Sequence, residues 1–250
     1  MKFNKIGLML GALGVIALGG SVALNFLLYG QVKKYYVELN QTRLDPLGLE
    51  YFRDTPEPTP ADTTRVVFWG DSRAASWPAP DASEYEFINR GIGSQTTTQT
   101  LQRFGAHIDP LQPDVVVIQV GVNDLKTIAL FPGRRDQIMA DTRANLEQMV
   151  KASEDIGATV IVSTLLPVGE VPLARRPVWS DEVAVAVDEI NDYITTLADE
   201  NVIVFDGFAV LANEDGLMQK AHRKDELHFN EQGYQLLNQA FLELLGTLES

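Results

Sequence analysis

The chain has 250 residues, 45% of them apolar, which is ample for one core and long for two. It contains no cysteine, so disulfides, thiolate metal sites and a cysteine nucleophile are excluded. The formal charge is −14, and residues 44–250 carry 15 basic against 33 acidic side chains, a net of −18. Such a body repels phosphate backbones, so nucleic acid is not an expected partner.

The chain opens with Lys2 and Lys5, then runs from Ile6 to Tyr29 for 24 residues without a charge. About 20 apolar residues cross a bilayer as a helix, so this stretch is long enough to do so. The leading lysines favour a cytoplasmic N-terminus, and Lys33 and Lys34 on the far side weaken that bias. Residues 1–30 therefore read as a signal anchor that leaves the body outside the cytoplasm, periplasmic or extracellular. The competing reading is a signal peptide cut after Ser21-Val22-Ala23, with the body secreted. Leu24, Phe26, Leu27 and Leu28 prolong the apolar run past that site and favour the anchor. Residues 31–45 keep a helical pattern. Residues 54–61 are rich in proline and read as a semi-rigid linker, so that 31–61 is an extension and 62–250 is the main domain.

In that domain strand-like and helix-like stretches alternate. Short apolar runs at 66–69, 86–89, 115–120, 159–164 and 202–205 read as strands. Two of them, 115–120 and 159–164, are nearly continuous β-branched runs, as parallel strands covered on both faces should be. Helical patterns fall at 97–104, 135–155, 181–200 and 231–248. Val183, Val187, Ile190 and Ile194 recur on one helical face, and Ile138, Leu146, Met149 and Val150 fall near another. Alternation of this kind predicts an α/β domain with a parallel sheet and right-handed crossovers.

The first strand ends abruptly at Gly70-Asp71-Ser72. A sharp turn at the carboxyl end of a parallel strand is where ligands bind in open α/β sheets, and a serine there is a candidate nucleophile. Serine needs a base. Of the three histidines only His228, in Asp225-Glu-Leu-His228, has a carboxylate three residues before it. On a tight turn Asp225 can accept the Nδ1 proton while Nε2 faces the serine, which is the logic of nucleophile, base and orienter. The alternative for that pair is a loop salt bridge. His107 reads as a helix end and His222 as part of an exposed basic run.

Gly121-Val-Asn123-Asp124 follows the third strand, where an amide side chain can donate to an oxyanion. Its alternative role is a turn and helix cap. Asn89-Arg-Gly-Ile-Gly-Ser-Gln-Thr-Thr97 follows the second strand. Gly91 and Gly93 let the backbone turn towards a ligand, and Ser94 or Thr96 can cap a helix. A free N–H in that loop would be a second oxyanion donor.

Taken in this order, each at a carboxyl strand end, the four motifs resemble those of the SGNH (GDSL-type) hydrolases. The resemblance covers about residues 64–246. It implies a three-layer α/β/α, flavodoxin-like fold with a five-stranded parallel sheet. It also implies hydrolysis of carboxylic esters by a Ser72–His228–Asp225 triad, with no metal and no other cofactor. The expected oxyanion donors are the Ser72 N–H, the Asn123 amide and an N–H of Gly93 or Ser94. Ser94 stands where the family pattern has its oxyanion glycine, which leaves those two positions open. Asp71 and Asp124 are expected to brace the turns. Arg73 and Arg90 fall near the inferred pocket, either to bind an anionic group of the substrate, a carboxylate or phosphate, or to be solvated or paired with Asp71 or another acid. Residues 168–180 read as a loop, lid-like, at the sheet's carboxyl edge. The expected partners are a small-molecule, glycan or lipid ester as substrate and a membrane at the N-terminal helix. An O-acyltransferase using the same site and an inactive membrane-tethered binding module are the alternatives.

Overall fold

The computed structural model describes residues 5–52 and 63–248. The chain divides into two compact units, 1–46 and 47–250. The first is one helix, α1 (Lys5–Leu44), with none of its residues buried. At 1.5 Å per residue it is about 60 Å long, and by length and composition it can cross a membrane. The expected span and the first part of the expected extension, as far as Leu44, are thus one continuous helix. The proline-rich stretch 54–61 lies outside the described residues. The compact unit that holds the sheet begins earlier than 62, at Leu47.

In the second unit the strands are β1 (Thr64–Gly70), β2 (Tyr85–Gly91), β3 (Val115–Gln119), β4 (Thr159–Ser163) and β5 (Val202–Phe205). They form one sheet in the order β2-β1-β3-β4-β5. Every pairing is parallel. The helices are α2 (Ser72–Ala75), α3 (Thr97–Gln102), α4 (Phe104–His107), α5 (Val122–Leu125), α6 (Arg135–Asp155), α7 (Glu182–Thr195), α8 (Gly207–Leu211) and α9 (Glu231–Leu248).

Strand side chains alternate between faces, and both faces here are apolar. Val67, Trp69, Val116, Ile118, Val160 and Val162 pack on Met139, Leu146 and Met149 of α6 and on Val187, Ile190 and Ile194 of α7. Val66, Phe68, Val117 and Ile161 face the other way, onto Leu211 of α8 and Tyr234, Leu237, Phe241 and Leu245 of α9. The result is three layers with the sheet in the middle. Burial on both faces explains why the strands read as continuous apolar runs. The predicted helix at 97–104 is instead two short helices, α3 and α4, meeting at Arg103. The predicted helix at 181–200 stops at Thr195.

Candidate active site

β1 ends against its neighbour with no room for a side chain. A Cβ on Gly70 would lie 1.9 Å from the Gln119 carbonyl oxygen, and one on Gly91 would lie 2.1 Å from the Ala75 nitrogen. These two glycines let α2 sit directly on the ends of β1 and β2. Gly91 therefore serves packing, where a turn towards a ligand was expected. Asp71 caps α2 by accepting the Arg73 N–H at 2.9 Å. Burial pushes the Asp71 carboxyl up, against the lowering effect of that hydrogen bond and of the Arg73 charge. Ser72, first residue of α2, is left half-buried at the carboxyl edge.

His228 reaches this serine from the far end of the chain. Its Nε2 lies 3.0 Å from Ser72 Oγ, and its Nδ1 lies 2.9 Å from Asp225 Oδ2. Asp225 also accepts the N–H groups of Leu227 and His228, both at 2.8 Å. One carboxylate thus shapes the turn and faces the ring. Partial burial alone would raise the Asp225 carboxyl, but the hydrogen bonds from Leu227 and His228 outweigh it and hold the group below the usual carboxylate range. With a proton on Nδ1 facing that charge, Nε2 is the ring atom that accepts from the serine hydroxyl.

The second and third motifs are stitched together. Asn123, only 4% exposed, donates from Nδ2 to the Gln95 carbonyl at 2.9 Å. An amide has two N–H groups, so this bond fixes the plane and leaves one more donor. Asp124 accepts the Thr97 N–H at 2.9 Å and the Thr97 hydroxyl at 2.7 Å. Burial raises the Asp124 carboxyl to about 6, with the Thr97 bonds opposing. Thr96 caps α3 in a capping box with Gln99. Ser94 is exposed and has φ +65°, a left-handed geometry normally taken by glycine. A Cβ on Gly93 would lie 3.9 Å from Ser72 Cβ, so both open candidates sit on the loop beside the nucleophile.

The solvated reading of the two arginines is corrected. Arg73 is fully buried. It donates to the carbonyls of Leu227 at 2.9 Å, Leu166 at 2.6 Å and Pro167 at 3.2 Å, fastening the serine turn to the loop after β4 and to the His228 loop. Arg90 is also buried, with its guanidinium 4.6 Å from the Phe52 ring centroid. His107 is the last residue of α4, as expected of a helix end, and is buried. The loop at 168–180 is tied to the Asp225 turn: Gly169 donates to the Glu226 carbonyl at 2.9 Å, and Arg175 pairs with the buried Glu226 carboxylate at 3.0 Å.

Sequence reasoning missed Gln95 and Arg103. Arg103 is buried and donates to the Gln95 side-chain oxygen at 2.6 Å and to the Gly70 carbonyl at 2.9 Å. The available signal was a polar residue directly after the glycine-rich loop, but no pattern in the sequence says which backbone groups it meets.

A parallel sheet in this order between two helical layers, with serine, histidine, carboxylate and amide gathered at its carboxyl edge, defines an SGNH-type hydrolase fold. The family model for GDSL-like lipases and acylhydrolases matches residues 57–236, and the chain belongs to that family. Among curated proteins none matches it in sequence. A solved Bacteroides fragilis protein is 23% identical, with 80% of this chain and 95% of that one covered at a TM-score of 0.63. A GDSL-like lipase from Bacteroides thetaiotaomicron is 21% identical, covering 77% and 92%, at 0.60. An acetylxylan esterase from Geobacillus stearothermophilus is 19% identical, covering 73% and 94%, at 0.58. These likenesses are of fold.

Proposed function

We propose that the chain is a serine esterase acting through Ser72, His228 and Asp225 on carboxylic esters with small acyl groups. The observation that carries this reading is the continuous line from the Asp225 carboxylate through the imidazole to the Ser72 hydroxyl, at 2.9 and 3.0 Å. In the first half-reaction Ser72 Oγ attacks the ester carbonyl carbon while its proton passes to His228 Nε2. Asp225 balances the imidazolium charge. The oxyanion accepts from the Ser72 N–H, from the Gly93 or Ser94 N–H and from the second N–H of Asn123. Collapse expels the alcohol, which takes the proton from His228. Water then gives a proton to His228 as it attacks the acyl-serine, and on collapse the bond to Ser72 Oγ breaks, His228 returns that proton to the serine oxygen and the acid is released.

An acetylxylan esterase among the fold neighbours makes O-acetylated glycans the first substrates to try. Lysophospholipids are the competing class, and α1 would hold either activity at a membrane, outside the cytoplasm. In the test, the full-length protein is given p-nitrophenyl esters of increasing chain length, acetylated glycan and lysophospholipid. Ser72→Ala should lower turnover by at least about 10⁴-fold, in keeping with loss of an activated nucleophile. The circular dichroism of the folded protein should not change. Turnover by the variant at the native rate would exclude Ser72 as nucleophile.

A further inference from the structure

The second compact unit begins with six residues, 47–52, that precede the sheet and belong to none of the recognised motifs. They are bound to the loop that carries the oxyanion candidates. Leu47 offers its carbonyl to Gln95 Nε2 at 2.7 Å. Gly48 is buried with φ +70°, and a Cβ there would lie 2.9 Å from Ile92 Cδ1 and 3.2 Å from Gln95 Nε2. The turn closes with Tyr51 N–H on the Gly48 carbonyl at 3.1 Å. Leu49 O lies 3.3 Å from His107 Nε2. Phe52 sets its ring edge-on to His107 at 5.3 Å and covers the Arg90 guanidinium.

Gln95 is the junction. Its side-chain N–H goes to residue 47, its side-chain oxygen accepts from Arg103, and Arg103 also holds the Gly70 carbonyl below the nucleophile. Its own carbonyl holds the Asn123 amide. Gln95 is 4% exposed. Were the segment to leave, a buried amide N–H would lose its acceptor, which typically costs about 1–3 kcal/mol. The loop can avoid that cost only by moving, and the Asn123 amide would move with it.

We infer that residues 47–52 are a positioning element of the active site, holding the 93–96 loop and the Asn123 amide in register with Ser72. The segment touches no reacting atom; it acts through Gln95. The catalytic unit therefore starts at residue 47, and its first turn is the part of the chain that emerges directly after α1.

The inference rests on the esterase reading for its kinetic consequence only, so the test has two arms on the full-length protein. The variants are Gly48→Val, which puts a β-branched residue at φ +70° and strains the turn, Phe52→Ala, which removes its contact with Arg90 and His107, and Phe52→Tyr as the conservative control. The first arm is amide hydrogen exchange in residues 92–97. It should speed up several-fold in Gly48→Val and Phe52→Ala and stay native in Phe52→Tyr. The second arm is hydrolysis of p-nitrophenyl acetate. Misplacing one oxyanion donor should lower kcat about tenfold while KM changes little, with Phe52→Tyr restoring the native value. Native exchange at 92–97 in a folded Phe52→Ala protein, or a lowered Tm with native kcat, would overturn the inference. A native chain that cleaves no ester would end the esterase reading, and the exchange arm would still decide whether the segment braces the loop.

Discussion

Ser94 holds a left-handed backbone at a cost of about 1–2 kcal/mol for a residue with a Cβ. Its side chain is exposed and accounts for none of the contacts between the loop and Asn123. Ser94→Gly should therefore raise stability by about 1 kcal/mol, read by urea denaturation, and leave kcat on an acetyl ester at its native value. A fall in kcat would mean that the hydroxyl itself takes part. Asp124 gives a second prediction. Its carboxyl is raised to about 6, so between about pH 4 and 6 the folded protein keeps a proton that the unfolded chain has released. Stability contributed by this group therefore falls as pH rises through that window. Asp124→Asn cannot ionise. The variant should gain on the native protein by up to about 3 kcal/mol between pH 4 and pH 7, whatever it loses in hydrogen bonding to Thr97. A constant difference in urea unfolding free energy at the two pH values would contradict the assignment.

Arg73 joins three segments that are distant in sequence: the serine turn, the loop after β4 and the His228 loop. Arg73→Leu would leave three carbonyls without this donor, each worth about 1–3 kcal/mol. The expected loss of stability is above about 3 kcal/mol, and Arg73→Lys should recover only part of it because an ammonium lacks the planar fork. Fluorophosphonate labelling of Ser72 should slow in both variants, since Leu227 adjoins His228. This residue also marks where sequence reading stops. The strands were legible because burial on both faces leaves long β-branched runs such as 115–119. The Asp225–His228 pair was legible because its partners are three residues apart. Arg73 was not, because its acceptors are backbone carbonyls 93, 94 and 154 residues away, and a carbonyl has no signature in a sequence. Helices α2, α5 and α8 were missed because four or five residues are too few to show a helical period. Residues 47–52 read as connecting extension, because Leu-Gly-Leu-Glu-Tyr-Phe is too short to show a helical or strand face.

At the scale of the molecule, the net −18 on residues 44–250 sets up a field that no single contact reveals. Arg73 and Arg90, the two arginines within the serine and glycine-rich motifs, do not relieve it locally, because Arg73 is spent on carbonyls and Arg90 is covered by Phe52. An ester bearing a negative charge should therefore meet repulsion on approach, with no exposed guanidinium of this pair to receive it. Screening shortens that repulsion to about 10 Å at 0.1 M salt and about 3 Å at 1 M. The expected outcome is a kcat/KM for an anionic acetyl ester that rises with ionic strength, mainly through KM. A neutral ester of the same size should show a flat response. Steady-state kinetics on the matched pair from 0.01 to 1 M sodium chloride make the comparison. An anionic ester that is favoured at low salt would show that a local cation governs the mouth of the site and that the global charge does not.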